Sequence, residues 1–282
     1  MEMDFINDIL QYNYISNALI ACVLSGITCG IIGTYIVARR MVFLCGGITH
    51  ASFGGLGIAF YAGANPILGA TLFAVLSSLF IEWSNSRAKI RPDSAIGMVW
   101  GIGMAIGALF ISLRPGYTSG EMANFLFGSI ITVTQADIIA LAILSIVLII
   151  GTLLWHRPIM FAAFDSNFAA ASKVSVKLIH NIMAVITAIT IVLSIRTMGI
   201  VLLISLFTMP VVAANAIFKD YKKIIPTAAV LAVIAGVTGI MVSYHIEVPS
   251  GPAIIFMLTM EFLTIKLLSL WVKQQKHKSK TL

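Results

Sequence analysis

Charge is what this sequence has least of. Asp, Glu, Lys and Arg make up only 10% of its 282 residues, against roughly 25% in an average soluble domain. No polar stretch is much longer than one helix, so there is no room for a separate water-soluble domain. Cysteine is scarce as well: Cys22, Cys29 and Cys45 form no CxxC pair. All three fall in or beside apolar segments and read as small packed hydrophobes. The motifs of enzymes are missing too, with no HExxH, no GxSxG, no GxxxxGK[ST] and no GxGxxG followed by an acidic residue at dinucleotide spacing. The chain therefore reads as a non-enzyme, and any ATP-driven action would need a partner to supply the ATPase. Period-two alternation is absent, which argues against an outer-membrane barrel. Met1–Asn17 holds no Lys or Arg but has Glu2, Asp4 and Asp8, the opposite of a signal peptide's basic start.

What remains is hydrophobic, 59% of the residues, arranged in runs near the roughly 20 residues a bilayer crossing needs. Asn17–Val37, Ile67–Ile81, Ser94–Leu113, Ile138–Trp155, Leu178–Ile195, Gly199–Phe218, Ile225–Tyr244 and Gly251–Trp271 all read this way. Met41–Tyr61 is apolar as well but rich in glycine, with a histidine inside. Backbone amides must pair internally in lipid, so such runs become helices. The expected fold is all-α: one polytopic transmembrane domain over residues 1–282, with about eight to nine crossings.

The net charge of +7 follows the connectors, and alternates along them as the excess of Lys and Arg on cytoplasmic loops requires. Arg39 and Arg40, then Arg87, Lys89 and Arg91, then Arg157, Lys173 and Lys177, then Lys219, Lys222 and Lys223, and finally Lys273 to Lys280 fall on one side. This places the C-terminus in the cytoplasm and speaks for orientation rather than nucleic-acid binding. Two connectors stand out. Arg114–Gln135 carries a short apolar run, Met122–Val133, suited to an external re-entrant half-helix. His156–Lys177 reads as a short amphipathic helix on the cytoplasmic side. There Phe161, Phe164, Phe168 and Ala171 recur at spacings of three and four beside Asp165. Such a stripe suits either rest on lipid headgroups or docking of a cytoplasmic partner.

Ionisable groups inside spans are costly and often functional. Glu261 and Lys266 lie in the last run, and Lys266 is placed to snorkel. The sharper feature is Arg39-Arg40-Met41-Val42-Phe43-Leu44-Cys45-Gly46-Gly47-Ile48-Thr49-His50-Ala51-Ser52-Phe53-Gly54-Gly55. A histidine sits here among glycines that let backbones approach, and imidazole is a good ligand for zinc and its neighbours.

This segment resembles the second membrane segment of the permeases of bacterial metal ABC importers, the zinc/manganese/iron family. Five further stretches resemble that family in the same order. They are Pro92-Asp93-Ser94-Ala95-Ile96-Gly97, Leu126-Phe127-Gly128-Ser129-Ile130, Phe164-Asp165 with Ala169 to Val176, Met198 to Leu203 with Met209 to Ala214, and Val248-Pro249-Ser250-Gly251-Pro252-Ala253-Ile254. The likeness runs from about Leu19 to Trp271. It implies a homodimer in the bacterial cytoplasmic (inner) membrane, a separate cytoplasmic ABC ATPase and an external solute-binding protein. It further implies a transported divalent metal rather than a bound cofactor, with His50 on its pathway. It also implies a cytoplasmic coupling helix that meets the ATPase through Phe164, Asp165, Phe168 and Ala171. One departure matters. The family usually has an aspartate four residues before this histidine, and here that residue is Gly46. A site of histidine without carboxylate favours zinc over manganese, iron being a further alternative, with Cys45, Met209 and Glu247 as candidate helpers. The competing readings are an ion-coupled secondary transporter, which would want several in-membrane carboxylates, and an ABC permease for iron chelates or cobalamin.

Overall fold

Apolar runs with no water to satisfy their amides can only coil, and the chain does so almost throughout. The computed structural model describes residues 13–114 and 133–278. Among these residues ten helices follow one another: α1 (Asn13–Ala38), α2 (Phe43–Tyr61), α3 (Pro66–Ser86), α4 (Pro92–Ser112), α5 (Gln135–Phe164), α6 (Ser166–Ala171), α7 (Val176–Met198), α8 (Ile200–Ile217), α9 (Tyr221–Ile246) and α10 (Ser250–Lys278). No strand occurs among the described residues. Nine of the helices, all but α6, are long and apolar enough to cross a membrane. The glycine-rich stretch after Arg40 is one of them and is the most enclosed, so the count reaches the upper of the two expected values. The expected re-entrant run Met122–Val133 lies, apart from Val133, outside the described residues.

Helix boundaries follow local chemistry. Asn65 caps α3 by accepting from the Ile67 amide at 2.9 Å, with Pro66 at the first helical position. Asp220 caps α9 through the Lys222 amide. Thr134 and Asp137 form a reciprocal capping box at the start of α5, the Thr134 amide donating to Asp137 Oδ2 at 3.0 Å and the Asp137 amide to Thr134 Oγ1 at 3.4 Å. Gly199, at φ +77°, separates α7 from α8 in a conformation that favours glycine. Helix α5 breaks at Trp155, whose φ and ψ of −117° and 20° are not helical. Pro158 explains the break, since its ring crowds the preceding turn and it has no amide to donate. The kink falls at Trp155, the residue at which the expected membrane run ends.

The contacts group the described chain into two compact units built from separated stretches. One comprises residues 1–37, 129–148 and 205–282, the other residues 38–128 and 149–204. In the first, α1 meets its neighbours over small residues. A side chain at Gly30 would stand 2.7 Å from the Ala229 amide, and Gly33 faces the Phe207 carbonyl. Val211, Ala214, Ile224 and Ala228 form a buried cluster between α8 and α9. In the second, α2 and α4 touch backbone to backbone. A Cβ at Gly54 would lie 2.9 Å from the Gly103 carbonyl, and one at Gly57 would lie 2.6 Å from the Gly107 carbonyl. Small residues at the seam are how helices associate where lipid removes the hydrophobic drive. Of the pair Gly101 and Gly103, only Gly103 takes part; Gly101 faces open space. Polar side chains along the spans are largely satisfied within their own helix, as Thr34 Oγ1 is by the Gly30 carbonyl at 2.6 Å.

Candidate functional site

His50 sits mid-helix in α2, and its surroundings come from three elements of one unit. Its imidazole lies flat against the Trp100 indole of α4, with ring centroids 4.3 Å apart and planes 7° from parallel. His50 Nδ1 is buried and has no hydrogen-bond partner among the described residues. An orphaned polar atom in a buried place is expensive. One helical turn earlier, Gly46 is not a packing glycine. A Cβ there would meet only Ile204 Cδ1 at 3.5 Å and Trp100 Cζ3 at 3.8 Å, both ordinary contacts. Its neighbour Gly47 has no such room, because Ile96 stands against it. The indole thus reaches from the imidazole face to the space beside Gly46. Composition and spacing did not point to Trp100; only the packing of α2 on α4 brings it to His50.

The candidate helpers are divided between the two units. Cys45 is fully buried in α2. Met209 accepts a long contact from Thr259 Oγ1 at 3.8 Å, and Glu247 is the exposed left-handed residue that ends α9. Both belong to the other unit, as do Glu261, half-buried in α10, and the exposed Lys266. Among the described residues, no three His, Cys, Asp or Glu side chains converge in a way that could hold a metal.

The expected docking stripe is divided. Phe161 and Phe164 belong to the end of α5 beyond its kink, whereas Phe168 and Ala171 belong to the separate helix α6. Asp165 makes the division. Its backbone is extended at φ −142°, and its Oδ1 accepts from the amides of Asn167 and Phe168 at 3.0 Å each. A single continuous face over 161–171 is therefore not what forms, since an N-cap residue cannot be helical itself. The stripe is nevertheless partly rejoined in space: the Phe161 and Phe168 rings meet edge to face at 5.2 Å. Phe161, Phe164, Phe168 and Ala171 are all exposed.

A third group of residues went unnoticed in the sequence. Glu82 belongs to α3, which runs on past Ile81 to Ser86, and it is buried. The Arg39 guanidinium donates to Glu82 Oε1. His180 presents Nδ1 to Glu82 Oε2 at 3.8 Å and its Nε2 to the Ala162 carbonyl at 3.1 Å. A carbonyl only accepts, so Nε2 carries a proton. The side chains of Arg39, Glu82 and His180 are only 10%, 8% and 14% exposed. Span-centred reading passes over them because each sits at the margin of an apolar run.

The profile of the ABC 3 transport family matches residues 11–269. The chain belongs to this family. Among its relatives is the "Manganese transport system membrane protein MntC" of Halalkalibacterium halodurans, 31% identical over 251 residues, covering 89% of this chain and 86% of the relative. The "Probable metal transport system membrane protein" of Chlamydia pneumoniae is 35% identical over 231 residues, 80% of this chain and 78% of the relative. The same fold occurs in PsaBC from Streptococcus pneumoniae in complex with Fab, with a TM-score of 0.84 at 24% identity over 97% of this chain and 100% of that one. Membership in the ABC 3 family fits the spans and the absence of a nucleotide motif.

Proposed function

We propose that this chain is the permease subunit of an ATP-driven importer of a divalent transition metal, and that zinc is its cargo. The observation that carries the reading is His50: an imidazole with an unsatisfied buried nitrogen, on the most enclosed of the described membrane helices of an ABC 3 family member whose relatives bear the names of metal transport proteins. Zinc is favoured by the donor chemistry. Gly46 supplies no carboxylate beside His50, and carboxylate oxygens are what suits manganese. The manganese relative makes manganese the natural competitor.

In this reading two copies of the chain form the pathway, each copy's His50 supplying one ligand of a weak, transient site. An external solute-binding protein delivers the cation, and a cytoplasmic ABC ATPase on each copy drives the change between outward and inward openings. The exposed aromatic segment Phe164 to Ala171 meets that ATPase, Asp165 holding α6 in shape. The C-terminus lies on the cytoplasmic face of the bacterial inner membrane. The complex with its ATPase, reconstituted in liposomes with the binding protein, is expected to accumulate zinc upon ATP addition. Accumulation of manganese in preference to zinc would overturn the cargo assignment, and accumulation of neither would overturn the importer reading.

A further inference from the structure

A continuous set of polar contacts crosses the second unit, from the exposed segment α6 to the turn that starts the His50 helix. Ser166 Oγ, at the first residue of α6, donates to the Ala162 carbonyl at 3.3 Å. The same carbonyl, on the part of α5 beyond the Trp155 kink, accepts from His180 Nε2 of α7 at 3.1 Å. The other nitrogen of that imidazole faces Glu82 of α3 at 3.8 Å, and Glu82 receives Arg39. Arg39 stands in the turn between α1 and α2, next to Arg40, whose φ of +57° is the left-handed conformation that non-glycine residues rarely hold.

We propose that Arg39, Glu82 and His180 are positioning residues that tie the α5–α6 segment to the turn leading into α2, so that displacement of the segment moves the helix carrying His50. The inference rests on the permease reading above and goes beyond it by naming what links the two ends. The chemistry argues for a link rather than a mere brace. A buried ion pair is poor evidence for stability, because an apolar replacement often does as well, but it holds its partners in one geometry. At the margin of an apolar bundle a carboxylate, a guanidinium and an imidazole are costly unless they bind to one another. Here the contacts run between elements and not within one. Arg39 belongs to the α1–α2 turn, Glu82 to α3, His180 to α7, and the accepting carbonyl to α5. Two arrangements of such a network differ by discrete contacts, which makes it suited to a discrete change rather than a gradual one.

The test uses the full complex with its ATPase in liposomes and reads zinc ions accumulated per ATP hydrolysed. Glu82→Gln keeps an acceptor for Arg39 but removes the charge; His180→Leu removes both imidazole contacts; His180→Gln restores a donor for the Ala162 carbonyl. Glu82→Gln and His180→Leu are expected to assemble with the ATPase and hydrolyse ATP within about twofold of wild type, while ions moved per ATP fall about tenfold, the scale of a coupling between sites. His180→Gln is expected to recover most of that ratio. An unchanged ratio in Glu82→Gln and His180→Leu overturns the inference. So does a fall of transport and hydrolysis in step with the amount of assembled complex, because that is what a purely structural role produces. A wild-type complex that moves neither zinc nor manganese overturns the permease reading, and the inference with it.

Discussion

At the scale of single residues, two small features decide what the candidate site can do: an unsatisfied nitrogen and a missing side chain. His50→Ala removes the only imidazole in α2 and leaves Trp100 without its stacked partner. Reconstituted complexes carrying it should retain dimer and ATPase but lose zinc uptake about tenfold or more, as removal of an interaction worth over 1.4 kcal/mol would do. Uptake at the wild-type rate would make His50 a packing residue. Gly46→Asp tests the other feature. The position accepts a Cβ at ordinary contact distances, so the variant should fold, and a carboxylate one turn from the imidazole should raise manganese uptake relative to zinc. Competition uptake with the two ions reads the change directly. That an imidazole stands at His50 and no carboxylate stands one turn before it, at Gly46, was legible in the sequence, because both are matters of residue type and spacing, whereas the room beside Gly46 was not. Trp100 was not, since its place over the imidazole depends on how α2 and α4 cross. Nor was the meeting of Arg39 with Glu82, 43 residues apart.

Helices and their seams account for most of what could be read early. Length and hydropathy are one-dimensional, and lipid leaves helix as the only answer, so all nine runs were visible before any packing was known. The Trp155 kink fell where the expected span ended because proline acts locally. The α5–α6 division was missed because Asp165 was weighed as a charge beside a stripe and not as a cap. Its capping predicts that Asp165→Ala loosens α6 by about 1 kcal/mol, whereas Phe168→Arg should leave the chain inserted yet abolish co-purification of the ATPase. Normal ATPase recovery with Phe168→Arg would move the docking surface elsewhere. The α2–α4 seam gives a sharper contrast. Gly57→Ala forces a Cβ to 2.6 Å from the Gly107 carbonyl, while Gly101→Ala meets nothing within 4 Å. The first should destabilise by about 1–3 kcal/mol, as overpacking does, and the second should be neutral. Thermal unfolding of the two variants in detergent separates them.

At the scale of the whole molecule, the nine spans among the described residues set which connectors are expected to share a face. Ala64, before α3, and Lys222, at the start of α9, are both exposed, and the charge pattern puts them on opposite sides. Cysteines at these two positions, with Cys22, Cys29 and Cys45 replaced by alanine, should react with an impermeant thiol reagent from opposite faces; reaction of both from the same face would reject the map. The zipped seam between α2 and α4 also has a mechanical consequence. Where backbones touch through glycine there is no side-chain slack to absorb sliding, so Gly54, Gly57, Gly103 and Gly107 make the two helices a single rigid blade. Whatever opens or closes around His50 must therefore carry the Trp100 indole with it. Flexing falls to the blade's ends, and a cation at the imidazole would meet the same aromatic wall in every state of the cycle.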